Sequence, residues 1–246
     1  MSASAVQTAI DPLELYAAAM DTSDYVPAVA PLVRRLVPEI GDLLDVGAGG
    51  GQIGQALAGP ERGFTAIEPS PTMRKRLAAL RPAPEIRACG WKEAPIADGA
   101  FDTVLAATMP ACFDEPELFL ARCRAWARRS VVWVVPAQQG PKGMCFAGCL
   151  PREWHGEDET PGIELVLAAL PRRHHPAALE VVEWTFTGIV ADLEALAHWM
   201  ADRLGWSADP RRGRLIEHLA AQARRERAGW RLQIPRKSAI CVWGKQ

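Results

Sequence analysis

The feature that most constrains the fold is a short apolar run that ends in a glycine-dense turn. Residues 43–46 read LLDV and lead directly into GAGGG at 47–51. An apolar run of this length before glycines predicts a buried strand that feeds a tight loop. Glycines there let the backbone bend sharply and let a ligand lie against bare main chain. The turn therefore predicts a ligand site at the carboxyl end of a parallel strand.

After this turn, helical and strand patterns alternate along the chain. Helical patterns cover residues 52–58, 71–80 and 115–128, and apolar strand patterns cover 64–68, 85–89, 102–107 and 130–136. Strands separated by helices at this spacing are joined by right-handed crossovers into a parallel sheet that is covered on both faces. The alternation predicts an α/β core over residues 41–136.

The flanking regions add helices on both sides of this core. Patterns that begin at Asp11 and at residue 26 predict a helical cover within residues 1–40. The other expected elements are an irregular region at 137–178 with one helix near 162–170, a strand at 179–190, helices near 191–204 and 211–228, and a strand at 231–244 interrupted by Pro235. We therefore expect one α/β domain over residues 1–246, with a doubly wound, seven-stranded, mostly parallel sheet whose last strand is antiparallel. A helical lid is expected at 191–230.

Two ligand frames fit the glycine turn. Gly49-x-Gly51-x-x-Gly54 satisfies the dinucleotide fingerprint of nicotinamide dehydrogenases, in which a helix N-terminus faces the pyrophosphate. Asp45-x-Gly47-x-Gly49-x-Gly51 instead resembles motif I of the class I S-adenosylmethionine (SAM)-dependent methyltransferases. Because SAM carries a positive sulfonium and no phosphate, an acidic residue that ends the strand favours the methyltransferase frame. A dehydrogenase remains the alternative at this point.

Two later segments extend this resemblance. EPSPTM at 68–73 resembles the acid-Pro-Ser-x-x-Met segment that follows strand two in many methyltransferases. CGWKEAP at 89–95, followed by DGAFD at 98–102, resembles their third and fourth strand region. The resemblance covers residues 40–136 and implies a Rossmann-like fold, SAM as the cofactor and S-adenosylhomocysteine (SAH) as the product.

The resemblance also implies roles for individual residues. Glu68 ends the second strand, where a carboxylate can accept both ribose hydroxyl protons, and Trp91 would flank the adenine. Gly90 stands where many relatives place an aspartate for the adenine amino group, so backbone groups of Trp91 and Lys92 or the Glu93 carboxylate would substitute. The expected cofactor-binding residues are Asp45, Gly47, Ala48, Gly49, Gly51, Glu68, Pro69, Trp91, Lys92 and Thr108, of which the three glycines would pack against the methionine part of SAM.

The candidate catalytic residue lies in the long segment after the fifth strand. Methyl transfer is an in-line displacement that requires alignment, and it requires a base only when the acceptor must lose a proton. Cys, Trp, His and acidic residues gather within 143–162, and connections of this length are usually functional or mobile. His155 is the predicted general base.

The same segment has two other interpretations. Cys145, Cys149 and His155, with His174 or His175, could hold a soft metal, although their spacing matches no standard zinc site. The loop could also be merely structural. We expect no metal.

The C-terminal region leaves the class of acceptor open. Arginines at 211, 212, 214, 224, 225, 227 and 231 lie on and around one helical pattern. An RNA-binding face has this composition, and so does a solvated helix face. We expect a lid whose Trp199, Trp206 and Trp230 help to close a pocket for a small planar, apolar or anionic acceptor. An RNA or protein methyltransferase and a non-catalytic SAM-binding protein are the alternatives.

Charge and cysteine usage bear on partners and location. The formal net charge is −1, which argues against a general nucleic-acid coat protein. No basic residue precedes Arg34, no apolar run approaches the ~18 residues of a membrane span, and the six cysteines include no CxxC pair. We therefore expect a cytoplasmic protein with reduced thiols and without a membrane partner, and the sequence indicates no oligomeric state.

Overall fold

Strands and helices alternate along the chain in the computed structural model, which describes residues 10–59, 63–109, 113–142, 145–206 and 209–244. The strands are β1 (Leu43–Val46), β2 (Thr65–Ile67), β3 (Glu85–Arg87), β4 (Phe101–Ala107), β5 (Ala127–Pro136), β6 (Ala178–Val190), β7 (Arg224–Glu226) and β8 (Gly229–Gly244). The helices are α1 (Pro12–Thr22), α2 (Tyr25–Leu36), α3 (Gln52–Ala58), α4 (Pro71–Ala79), α5 (Pro116–Trp126), α6 (Arg152–His155), α7 (Gly162–Ala169), α8 (Leu193–Arg203) and α9 (Arg211–Gln222).

The strands form a mostly parallel sheet in the order β3-β2-β1-β4-β5-β8-β6. The first five strands in this order are parallel to one another, whereas β8 runs antiparallel to both β5 and β6. The predicted doubly wound sheet with an antiparallel last strand is thus confirmed. Among the residues described, no helix has the length and apolarity that a membrane crossing needs.

Local sequence signals explain where several helices begin. The side chains of Asp11, Ser70 and Asp192 accept backbone N–H groups in the first turns of α1, α4 and α8. Pro12 and Pro71 directly follow two of these caps, where the missing N–H has no helical partner to lose. These capping patterns fix the entry points of the helices that surround the glycine turn.

The sheet separates two apolar cores. Side chains from α1 to α4, α8 and α9 pack on one face, and side chains from α5 and α7 pack on the other. Both faces of β1 are buried as a result. The carboxyl end of β1 therefore lies in the interior, between helices, where the glycine turn begins.

Polar contacts hold α1 next to the glycine turn. The Gln52 amide at the start of α3 donates to the Asp21 carboxylate on α1 at 2.7 Å. Arg76 on α4 pairs with Glu14 at 2.6 Å and also with Asp21. The first helix is thereby fastened to the two helices that follow β1 and β2.

The C-terminal elements differ from the sequence-based expectation in two ways. The helix predicted over 211–228 ends at Gln222, and residues 224–226 instead form β7, which pairs with the start of β8 and adds an eighth strand within the described chain. The predicted interruption at Pro235 is also wrong, because β8 is continuous. Between residues 232 and 237 its described neighbour is β6 alone, so a residue without an N–H is tolerated on the open side.

Candidate functional site

A cavity of about 490 Å³ opens at the carboxyl ends of β1, β2 and β4. Its walls are the glycine turn, the segments that follow β2 and β3, and one side of α1. All the predicted cofactor-binding residues line this cavity except Gly51. The fold therefore brings together, from four separate strands, the positions that sequence motifs singled out.

The glycine turn is tied to the neighbouring strand by its backbone. The N–H groups of Gly47 and Ala48 both donate to the Ile67 carbonyl, at 2.8 and 3.2 Å. Gly49 and Gly51 have φ angles of +56° and +79°, in the left-handed region that favours glycine. Gly51 turns away from the cavity, because a Cβ there would lie 2.6 Å from Leu77 on α4. Gly51 is therefore placed for packing against α4 and is not among the residues that line the cavity.

This difference between the two glycines predicts a difference in stability. Gly51→Ala should lower the unfolding free energy by about 3 kcal/mol, because left-handed strain of about 1–2 kcal/mol adds to a collision with the fully buried Leu77. Gly49→Ala is the matched control, since its Cβ would meet no atom within 4 Å, and it should cost about 1 kcal/mol. Urea unfolding of both variants measures the gap. Equal losses would show that packing against α4 contributes nothing.

Glu68 lies buried at the end of β2, and backbone donors fix its carboxylate. Oε2 accepts the Gly49 N–H at 2.8 Å, and Oε1 accepts the Ser70 N–H at 2.8 Å. Each oxygen keeps further acceptor capacity toward the cavity. A carboxylate that is already oriented in this way can receive two vicinal hydroxyl groups without losing side-chain entropy at that moment.

Asp45 is the buried acid at the end of β1. Among the described residues, neither of its carboxylate oxygens has a hydrogen-bond partner. Burial, and to a smaller extent the nearby Glu68 charge, together raise the pKa of Asp45 from 3.8 to about 7. Gly54 on α3 leaves room for this carboxylate, because a Cβ at that position would collide with Oδ2. The third glycine of the dinucleotide frame is thus explained by the packing of Asp45.

The side of the cavity where the sequence predicts adenine is built around Trp91. This indole is buried and packs edge-on against Phe119 at 5.2 Å. The Lys92 ammonium lies 5.3 Å from the centroid of the indole ring and pairs with Glu115. A Cβ on Gly90 would lie 2.6 Å from Glu93 Oε2, so the Glu93 carboxylate lies at the position that lacks the usual aspartate.

A second cavity of about 290 Å³ lies beside the first. Leu13, Tyr16 and Thr108 line both cavities. The Tyr16 hydroxyl lies 3.1 Å from Thr108 Oγ1, which also donates to the Ala107 carbonyl at 2.8 Å. Thr108 has a φ of +54°, a strained conformation for a β-branched residue. Strained backbone and two hydroxyls thus mark the boundary between the cavities.

Aromatic side chains and cations line the second cavity. The aromatic residues are Tyr16, Phe146, Trp184, Phe186 and Trp199, and the cations are Lys142, Arg203, Arg236 and Lys237. Of the three tryptophans expected to close an acceptor pocket, only Trp199 lines it. Trp206 is buried against Trp154, with ring centroids 5.7 Å apart. Trp230, on β8, lies under the Arg225 guanidinium.

The structure does not bring His155 to either cavity. Its side chain is 1% exposed, its Nδ1 accepts the Glu157 N–H at 3.1 Å, and its Nε2 lies 3.4 Å from Glu159 Oε1. The segment folds into a short 3-10 helix at Cys145–Cys149 and into α6, and both of these contacts of the imidazole come from residues of the same segment. A role as the base therefore has no geometric support.

Of the alternative metal ligands, the Cys145 side chain lies outside the described part of the structure, and the described ones have other partners. The Cys149 thiol donates to the Phe146 carbonyl at 2.9 Å, and His175 Nε2 lies 3.1 Å from the Leu167 carbonyl. The His, Cys, Asp and Glu side chains that the structure describes form no group of three that could hold a metal ion.

Sequence motifs missed the contribution of α1. Tyr16 and Leu13 line both cavities although they precede the glycine turn by about thirty residues. A single tyrosine in the otherwise small and apolar stretch YAAAM was the available signal. Its role depends on packing between distant segments, which a local motif does not encode.

Comparisons with known proteins agree with this geometry. Residues 44–134, from β1 to β5, match a family model described as a methyltransferase domain. A search of curated proteins finds no significant match.

Solved structures share the fold at low sequence identity. A candidate methyltransferase (BH2331) from Bacillus halodurans has a TM-score of 0.54 at 15% identity, over 88% of this chain and 98% of that chain. A candidate type II methyltransferase from Anaeromyxobacter dehalogenans has a TM-score of 0.54 at 19% identity, over 87% of this chain and 95% of that chain. The YcgJ protein from Bacillus subtilis has a TM-score of 0.51 at 14% identity, over 88% of this chain and 97% of that chain. Residues 44–134 thus match a methyltransferase domain in sequence, and the described chain shares the Rossmann-like fold of these solved structures.

Proposed function

We propose that the chain transfers a methyl group from SAM to a small molecule bound in the second cavity, with SAH as the other product. The observation that carries this proposal is the wall of Leu13, Tyr16 and Thr108 that the two cavities share. A group held on one side of this wall lies next to a group held on the other. Such proximity is the main requirement of an in-line displacement.

The residues of the first cavity fit SAM in their chemistry. Gly47 and Gly49 leave bare main chain for the methionine part, and the fixed Glu68 carboxylate suits the ribose hydroxyls. Trp91 offers an aromatic wall for adenine, and Glu93 supplies the acceptor for its amino group. Asp45 supports this assignment further, since its unpartnered buried carboxylate favours a cationic ligand over a pyrophosphate.

Bound SAM would supply an electrophilic methyl group on its sulfonium. The chain's own part is to position the acceptor and to exclude water from the boundary between the cavities. Tyr16 and Thr108 place two hydroxyls there, and aromatic side chains cover the acceptor side. These groups can orient an acceptor atom by hydrogen bonding.

Ion pairs in the C-terminal region favour a small acceptor over RNA. Arg211 pairs with Asp209 at 2.6 Å, and Arg212 pairs with Asp202 at 2.5 Å. A carboxylate beside each guanidinium reduces the charge available to a phosphate backbone. Filter binding at low salt checks this point, because an RNA methyltransferase would show steeply salt-dependent RNA binding.

Calorimetry with SAM, SAH and NAD tests the assignment of the first cavity. We expect SAM and SAH to bind and NAD to bind far more weakly, because Asp45 and Glu68 place negative charge where a pyrophosphate would lie. Formation of SAH in the presence of small acceptors then measures turnover. Tighter binding of NAD would contradict the proposal, and SAM binding without turnover on any acceptor would favour a non-catalytic SAM-binding protein.

A further inference from the structure

The second cavity carries positive charge as well as aromatic surface. Four cations line it, and no acidic side chain among the described residues does. Lys237 is half exposed and pairs with Glu183 at 2.7 Å, and Arg203 is exposed beside the Trp199 ring. Lys142 and Arg236 lie deeper, because the Lys142 side chain is 17% exposed and Arg236 is 6% exposed.

Arg236 is placed on the inward face of β8. It pairs with Trp184 across the β6–β8 ladder, and its neighbours on the same face are Ile234 and Ser238. A buried charge on such a face loses much of its hydration and therefore needs polar partners, which Arg236 has. Because Arg236 also lines the cavity, its guanidinium lies where a bound ligand can contact it.

The local chain makes room for this guanidinium. Its Nη1 donates to the Pro141 carbonyl at 3.2 Å. A Cβ on Gly148 would lie 2.9 Å from Nη2 and 2.8 Å from Ile234, so a larger residue at 148 would displace the side chain. The planar group is therefore held in place from two sides. A held guanidinium presents paired N–H donors, which match the two oxygens of a carboxylate or phosphate.

The aromatic part of the wall is also fixed. Trp184 Nε1 donates to Ser238 Oγ at 3.0 Å, and Phe146 packs edge-on against Phe186 at 5.2 Å. Rigid aromatic surfaces favour a planar or apolar ligand body. A small cavity with both a cation and an apolar wall thus favours a ligand that has both a negatively charged group and a planar or apolar body.

We propose that the methyl acceptor combines a planar or apolar body with an oxyanion, and that Arg236 binds the oxyanion. This inference rests on the proposed function, because it takes the second cavity to be the acceptor site. Arg236 is then a residue that determines specificity, while Tyr16 and Thr108 stand at the boundary with the cofactor. The oxyanion is a carboxylate or a phosphate, which share the chemistry that a guanidinium recognises.

Matched probes test the inference on the full chain saturated with SAH. The probes are 2-naphthoate, 2-naphthyl phosphate and the neutral 2-naphthamide, with benzoate and benzamide as a smaller pair, and calorimetry measures their affinities. We expect an oxyanion to bind at least about ten times more tightly than its neutral analogue, since a charged hydrogen bond contributes about 1.5–3 kcal/mol. The ratio between 2-naphthoate and 2-naphthyl phosphate identifies which oxyanion the site prefers.

Substitutions show which residue causes the preference for oxyanion probes. Arg236→Gln should bind the charged and neutral probes alike, while Arg236→Lys should retain part of the preference because it keeps the charge without the planar fork. Arg35→Gln is the control, because Arg35 is an exposed arginine that pairs with Glu180 on β6. Unchanged SAH affinity in all three variants shows that the cofactor cavity is intact.

The outcomes separate the two proposals. Failure of SAH to bind the wild-type chain would overturn the proposed function. Normal SAH binding with equal affinity for charged and neutral probes, or with no oxyanion binding at all, would overturn only the inference about Arg236. The comparison of probes on the wild-type chain stands even if a variant at position 236 fails to fold.

Discussion

Replacement of Glu68 by glutamine is expected to weaken the binding of SAM and SAH about 100-fold, which corresponds to about 2.7 kcal/mol. The carboxylate has two oxygens that each accept one backbone N–H, from Gly49 and Ser70, and that can each accept a ribose hydroxyl as well. Glutamine has the same size but offers one oxygen and one NH₂ group. It therefore cannot satisfy both backbone donors and both hydroxyls. Calorimetric titration of the variant with SAM and SAH measures the loss.

Glu85→Gln is the control for this substitution. Glu85 lies on the adjacent strand β3, is largely exposed and pairs with Arg87, so its replacement removes the same charge outside the cavity. We expect its SAM affinity to equal that of the wild-type chain. Equal affinities for Glu68→Gln and wild type would rule out Glu68 as the ribose ligand, and equal losses in both variants would indicate a general charge effect.

Asp45→Asn is expected to change how stability depends on pH. The pKa of Asp45 is raised from 3.8 to about 7 in the folded chain, first by burial and then by the Glu68 charge. Between these values the unfolded chain releases a proton that the folded chain retains, so this group lowers stability progressively as the pH rises from about 4 to about 7. Above that range the loss of unfolding free energy caused by ionised Asp45 is constant and reaches at most about 4 kcal/mol.

Asparagine has no charge to bury, so the variant lacks this pH-dependent loss. The difference in unfolding free energy between variant and wild type should shift in favour of the variant from pH 4 to pH 8, by at most about 4 kcal/mol. Urea unfolding at intervals across this range measures it, with the exposed Asp98→Asn as a control. A difference that does not change with pH would mean that Asp45 titrates normally. In the Glu68→Gln background the midpoint should move to lower pH, because one cause of the raised pKa is gone.

The elements around the glycine turn could be predicted because their signals are local. An apolar run before glycines marked β1, Asp11 marked the start of α1, and the helical pattern that begins at residue 71 marked α4. Glu68 could be placed in the cavity for the same reason, since it directly ends a strand whose position in a parallel sheet is fixed.

Other features depend on contacts between distant segments and were missed or misplaced. Residues 224–226 have helix-forming composition, yet they pair with the start of β8 in a hairpin. His155 belongs to a loop whose path is set by its own internal hydrogen bonds, so its composition alone suggested a catalytic role that the fold does not support. Tyr16 gains its place only because α1 is fastened to α3 and α4.

If both cavities bind ligands as proposed, the position of α1 couples their occupancy. Leu13 and Tyr16 belong to one helix and line both cavities. A ligand that restrains this helix from one side also shapes the wall that the other ligand meets, so the two binding free energies are not additive. Thermodynamic linkage requires the coupling to be equal in both directions. On the proposed function, binding of one ligand would therefore change the affinity for the other through this single helix.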